Sequence, residues 1–431
     1  MAEPARPATQ AAPKSFAALR NRDYSVYLTG NMLAMMADSI EHTITYWVIW
    51  EKFHSPFLGG FAILVHWLPF LLFSIWSGAL ADRHDPRRIV QIGMGLFMVA
   101  SLAWGYFFLT DTLEMWIAMV ILTVHGFAGV FWAPASQLLI HDIVGGPQLQ
   151  SGVRLMATSR VLGLLAGPTV GGLLLGTLGA INGIFLNALI YLPLTLWLVR
   201  APYGPKFRTG AEAHATRVAA RPQTWRDILT TIRETATNRT ILCMTLLAGG
   251  FSFFVGNSYQ AQMPGFAQDL GHGDSSFFYS ILMAATAAGA LTAGLVLESG
   301  GFLKARPRTA FFLVMTWCVA ITIFAISTNY WMALGVLFAV GFLDLSFNSM
   351  AQTLVQLEAP AHLRGRVIGL YNTSSAGMRA FAGITVGWGG ELVGIHWSLA
   401  VSASVLLAGT VLLFSFLMRA AHVEVRASPG E

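Results

Sequence analysis

The feature that most constrains this chain is the recurrence of continuously apolar runs of about 20 residues, each long enough to cross a hydrocarbon layer of about 30 Å as a helix. About twelve such runs can be read off, at 24–49, 57–80, 89–110, 114–140, 152–176, 180–199, 239–262, 276–297, 309–327, 330–357, 367–392 and 396–418. They do not alternate polar and apolar, as membrane-spanning strands would, and lipid offers no partner to an unpaired backbone, so helices follow. Composition agrees: 55% of the 431 residues are hydrophobic and 11% charged, with a mean hydropathy of +0.61, far from the range of soluble proteins. The expected fold is an all-α integral membrane protein with twelve transmembrane helices, its surface covered by the lipid bilayer.

Orientation comes from the cations. Of the 26 Lys and Arg, Lys52 alone falls in a loop on the far face, and Arg160 and Arg379 lie within runs. The remainder gather on one face, which puts both termini in the cytoplasm of a multi-pass cell-membrane protein. The net charge of +5 is spread over short loops with no base-stacking aromatics beside it, so nucleic acid is excluded as a partner. Cys243 and Cys318 sit singly inside apolar runs, giving neither a disulfide framework nor a metal-ligand spacing, and no metal or cofactor is expected. Nothing in the pattern asks for a second copy of the chain, and a monomer is expected.

The segments follow in order. Residues 1–23 form a tail, rich in Ala and Pro at its start and without the apolar core of a signal peptide. Residues 24–199 form a first bundle of six runs, 239–418 a second, and 419–431 a cytoplasmic tail. Between the bundles, 200–238 is a cationic, Pro-containing linker in which Trp225, Ile228, Leu229 and Ile232 recur at helical spacing, as expected of an amphipathic helix on the membrane surface. The bundles repeat one another weakly: one common offset sets Gly294 on Gly78, Glu298 on Asp82, Lys304 on Arg88, Gly383 on Gly167 and Gly387 on Gly171.

The second run ends abruptly in Gly78-Ala79-Leu80-Ala81-Asp82-Arg83-His84-Asp85-Pro86-Arg87-Arg88. Gly78 and Asp82 at this spacing, with Arg83, Arg87 and Arg88 behind, resemble the loop between the second and third helices of the major facilitator superfamily. The Asp-Pro-Arg-Arg ending is similar to the siderophore-exporter and macrolide-efflux branch, although Asp85 stands where the family more often has Gly. Leu363-Arg364-Gly365-Arg366-Val367 resembles the same branch. In the fifth run Gly163, Gly167, Pro168, Gly171 and Gly172 resemble the superfamily's antiporter signature, with Arg154 at the upstream position where that signature has Gly. The resemblance implies two six-helix bundles related by a repeat, with a substrate site between them near the midplane. It also implies alternating access, export against proton entry, and a cytoplasmic gate at Gly78, Asp82, Arg83, Arg87 and Arg88, to which the internal repeat adds Gly294, Glu298 and Lys304.

Ionisable residues at mid-membrane depth are costly and mark function. Asp38, Glu41 and His42 share one face of the first run by their spacing; His66 and His125 lie in the second and fourth. Asn257 and Gln260 come at similar depth in the seventh, Asp344 in the tenth, and Arg160 and Arg379 are the deep cations. Pairing of these arginines with Asp38, Glu41 or Asp344 is the economical expectation, with Asp38 the first candidate to carry a proton. For a lone histidine such as His66 or His125 a structural hydrogen bond is the simpler reading. The function expected is a proton-coupled antiporter exporting a small amphipathic molecule, such as a siderophore, drug or natural product. An uptake carrier, or a receptor on the same fold, is the alternative. An enzyme is not expected: His141-Asp142 has no nucleophile elbow beside it.

Overall fold

A computed structural model describes residues 16–204, 206–207, 232–233, 235–272, 276–300, 306–360 and 364–427. All regular structure among them is helical. The first half comprises α1 (Arg22–Phe53), α2 (Pro56–Arg83), α3 (Pro86–Thr110), α4 (Met115–Ile190) and α5 (Leu192–Arg200). The second comprises α6 (Arg239–Phe254), α7 (Met263–Ala267), α8 (Ser276–Gly300), α9 (Pro307–Ile326), α10 (Tyr330–Glu358), α11 (Arg364–Asn372), α12 (Arg379–Ala382), α13 (Gly389–Val393) and α14 (Ile395–Ala427).

Local chemistry sets the helix starts. Asn21 caps α1 by accepting from Tyr24 N–H, Ser55 caps α2 by accepting from Leu58 N–H, and Asp85 caps α3 by accepting from Arg87 N–H. Pro56 and Pro86 follow at the first helical position, where a missing N–H costs nothing. Two residues therefore suffice to turn the chain at His54-Ser55 and at His84-Asp85. The long α4 is broken at Gly145 and Gly179, whose φ of 68° and 75° suit a residue without Cβ.

By length and composition, nine stretches among the described residues can cross a membrane. One of them, Ser151–Arg200, has 50 residues, more than two crossings of about 20 residues need, and bends at Gly179. The charged α1, 32 residues long, lies outside that set, as does the segmented stretch from α11 to α13.

The glycines singled out in the fifth run are contact points. A Cβ on Gly163 would lie 2.5 Å from the Met32 carbonyl, and one on Gly167 would lie 3.0 Å from that of Met36, so α4 sits directly on α1. Gly172 points the other way, against Ser280 of α8 in the second half. Under the repeat's offset Gly167 and Gly171 match Gly383 and Gly387, which lie backbone to backbone with Gly60 of α2 in the other half, whereas Gly167 and Gly171 face α1 in their own half. The glycines that repeat in the sequence are thus close-contact points in both halves, within the first half for Gly167 and Gly171 and between the halves for Gly383 and Gly387.

Hydrogen bonds between the halves gather at the end where α1 turns into α2. Ser55 Oγ and the Phe57 N–H donate to Glu391 Oε2 at 3.3 and 3.2 Å, and Gln262 Nε2 donates to the Pro56 carbonyl at 2.8 Å. Trp50 Nε1 donates to Gln268 Oε1 at 3.0 Å, and Tyr279 Oη to the Thr43 carbonyl at 3.0 Å. This end is closed.

Candidate functional site

The polar residues on α1 meet those of three neighbouring helices inside the first half. His125 of α4 lies between two acids: Nε2 is 2.9 Å from Asp38 Oδ1 and Nδ1 is 2.8 Å from Glu41 Oε1. All three side chains are buried, with Glu41 2% and His125 3% exposed. Ser101 of α3 donates to the second Glu41 oxygen, Oε2, and Asn187 Nδ2 donates to Ser101 Oγ at 3.3 Å. His42 Nδ1 is 2.8 Å from the Asp38 carbonyl, and its ring stands edge-on to those of His66 and His125, 4.8 Å from each. The i, i+3, i+4 spacing on α1 therefore did place Asp38, Glu41 and His42 together, as read from sequence.

The expected arginine pairs did not form. Among the described residues no carboxylate oxygen lies within 4.0 Å of Arg160 or Arg379. Arg160 lies over the Trp132 ring at 5.6 Å, and Arg379 over the Trp67 ring of the other half at 5.0 Å. The reason is geometric: His125 already occupies the acids on α1 at hydrogen-bonding distance, and an indole face satisfies a guanidinium without a second charge. His125 is correspondingly more than a lone structural histidine. That role could not be read from a single run, because its two partners lie on another helix.

In the second half Asp344 of α10 is half-buried. Asn348 Nδ2, one turn on, donates to its Oδ1 at 2.5 Å and to its carbonyl at 3.0 Å. Arg379 attracts it through space without reaching ion-pair distance, and the enclosed Arg379 Nε has no hydrogen-bond partner among the described residues. Arg379 begins α12, between two π-helical turns, Thr373–Gly377 and Gly383–Trp388. Such turns are frequent at functional sites. Asn257 and Gln260 lie where the helix begun by α6 gives way, after Gly256 at φ 49°, to a 3-10 turn at Ser258–Gln262. Irregular backbone at membrane depth is tolerated where it is buried in protein or lines a cavity.

At the charged loop, Arg87 folds back within its own half. Its Nη2 is 2.6 Å from Asp85 Oδ2, its Nη1 donates to the Ala201 carbonyl at 2.5 Å, and its guanidinium lies over Phe207 at 4.9 Å. Burial opposes ionisation of Asp85, but the Arg87 hydrogen bonds and the charges of Arg87 and Arg88 outweigh it, and the pKa is lowered. Arg88 Nη1 donates to Gln91 Oε1 at 2.9 Å. Gly294 of α8 meets Leu345 of α10. The side chains of Asp82, Arg83 and Glu298, together with Gly78 and Lys304, lie outside the described residues, as do those of the 363–366 motif. So does 208–231, and with it most of the expected amphipathic linker helix.

The fold and this interior point to one class of protein, a helical membrane transporter made of two repeated halves. The chain belongs to the Major Facilitator Superfamily, whose family model matches residues 27–383. Among curated relatives, it is 24% identical over 398 residues to the multidrug efflux pump Tap of Mycolicibacterium fortuitum, covering 89% of this chain and 92% of that protein. It is 25% identical over 184 residues to macrolide efflux protein A of Streptococcus pyogenes, covering 42% of this chain and 44% of that one. Of solved structures, a bacterial homolog of the human lysosomal transporter Spinster, in an inward-facing and unoccupied conformation, superimposes with a TM-score of 0.69 at 12% identity. That match covers 92% of this chain and 97% of that one. The nucleoside transporter NupG gives a TM-score of 0.66 at 13% identity, covering 91% and 99%. These similarities are to transporters, and the chain is not an enzyme.

Proposed function

We propose that this protein is a proton-coupled antiporter of the cell membrane that exports a small amphipathic molecule, a drug, siderophore or natural product, by alternating access as a monomer. Both termini and the Asp82 loop face the cytoplasm in this reading, which follows from the distribution of Lys and Arg. The end latched by Glu391 is then external, and the structure stands in the inward-facing state. The efflux relatives support export, and the Gly167-Pro168 motif, seated between α1 and α8, supports antiport.

The observation that carries the coupling is the contrast between the buried acids. Asp38 and Glu41 are both held by His125, whereas Asp344 accepts from the neutral Asn348 and has no cation in contact among the described residues. A mid-membrane carboxylate is costly when charged and tolerable when neutral. Asp344 is therefore the first candidate to exchange a proton, in place of Asp38. With Asp344 charged, Arg379 is held toward α10, and substrate loads from the cytoplasm. Protonation from outside frees Arg379 to rest on Trp67 alone and favours the return of the empty carrier.

Inside-out vesicles test the export reading. A panel of amphipathic fluorescent dyes should accumulate in them when the lumen is acidified, and accumulation should stop when the gradient is collapsed. Accumulation indifferent to the gradient would remove the coupling, and dye entry only in right-side-out vesicles would remove export.

A further inference from the structure

Three histidines and a carboxylate converge from α1, α2 and α4, and this cluster has more ligating capacity than its hydrogen bonds use. We propose that Asp38, His42, His66 and His125 form a site for one divalent metal ion of the zinc class. This goes beyond the transport reading and does not depend on it. One donor atom from each of the four residues lies within 4.8 Å of every other. A tetrahedral ion with bonds of about 2.0–2.1 Å holds its donors roughly 3.3 Å apart. The Asp38 and His125 atoms, at 2.9 Å, are already that close, and side-chain rotations of the order of an ångström bring in the rest.

The unused edges of the rings are arranged as metal-binding histidines require. Such a histidine donates its other N–H to a carboxylate or carbonyl, which fixes the ring and its tautomer. Here His125 Nδ1 faces Glu41 Oε1 at 2.8 Å and His42 Nδ1 faces the Asp38 carbonyl at 2.8 Å, which leaves Nε2 of His42 to ligate, and turns Nε2 of His125 toward Asp38, its fellow ligand, where an ion would take the place of their direct contact. An independent observation comes from His66: its Nδ1 is enclosed and, among the described residues, has no hydrogen-bond partner. A buried nitrogen without a partner needs an explanation, and a bound metal ion supplies one.

Donor type and charge narrow the ion. Three imidazoles with one carboxylate suit zinc and its neighbours, whereas magnesium and calcium favour oxygen shells. The carboxylates of Asp38 and Glu41 together balance a divalent ion, while neutral imidazoles add no charge. Occupied, the site pins α1 to α2 and α4 within the first half.

The test uses the untagged full-length chain in detergent, stripped with chelator and titrated with Zn2+ by calorimetry and with Co2+ by absorption. One ion per chain is expected, with the intense visible bands of tetrahedral Co2+ and no competition from Mg2+ or Ca2+. His66→Ala should weaken Zn2+ binding by at least about tenfold, and Glu41→Gln by about 10–100-fold through His125. Replacing the exposed His84 by Ala should change nothing. If His66→Ala does not fold, His42→Ala carries the same expectation. Zn2+ affinity unchanged in His66→Ala or His42→Ala, or Mg2+ competing on equal terms, overturns the site.

Discussion

Replacing His125 by Ala tests whether one imidazole holds the interior of the first half together. Its two nitrogens contact Glu41 and Asp38 at 2.8 and 2.9 Å in a setting that is almost wholly buried. Truncation leaves two buried carboxylates, with the Ser101 hydroxyl the one remaining side-chain donor to Glu41 among the described residues. Removing one partner of a buried charged pair costs about 3–5 kcal/mol, because the other is left uncompensated. A loss of that size should appear as a clear drop in the unfolding midpoint, followed by Trp fluorescence in mild detergent. The measurement belongs in chelator-treated buffer, so that no bound metal contributes. Rescue should follow as well: adding Asp38→Asn and Glu41→Gln to His125→Ala removes the stranded charges and should recover more than about 1 kcal/mol, since contacting residues couple by about 0.5–3 kcal/mol. A His125→Ala protein within about 1 kcal/mol of the parent, or a triple variant no better than the single one, would refute the bridge.

Gly167→Leu should destabilise the protein by about 1–3 kcal/mol through overpacking, since even a Cβ there would lie 3.0 Å from the Met36 carbonyl; a melting curve checks it, and an unchanged midpoint counts against the α1 contact. Gly60→Val should pry apart the closed end by colliding with Gly383 and Gly387, so spin labels at the exposed Glu51 and Leu392 should report longer distances, and an unaltered distance distribution would sink the latch. Asp85 has a lowered pKa in the folded protein, so its contribution to stability is present at neutral pH and is lost as pH falls through the carboxylate range. The stability difference between parent and Asp85→Asn should accordingly shrink on acidification; a difference independent of pH would contradict the Arg87 contact.

The helical membrane class was legible because lipid admits so few backbone solutions, and the repeat because glycines at contact points tolerate little change. Gly167 and Gly383 were matched by offset alone, and each proved to face a neighbouring backbone. The charge partners were less legible. Sequence put Asp38 and Glu41 on one face correctly, but opposite charge alone assigned them to Arg160 or Arg379. The structure gives the acids to His125 and each guanidinium to an indole, Trp132 and Trp67. An aromatic face carries no formal charge, so counting charges along the chain could not find it. The meeting of His42, His66 and His125 was hidden for a related reason: the three lie on different helices, with no spacing along the chain to betray them.

Whether export is coupled to protons through Asp344 is decided by comparing the parent with Asp344→Asn in one preparation. Dye export from energised vesicles, with and without an imposed pH gradient, is measured beside dye binding to the purified protein. Asp344→Asn should bind dye but lose gradient-dependent export, because Asn keeps the size and the contact with Asn348 yet cannot exchange a proton. Full gradient-dependent export by Asp344→Asn would contradict that coupling.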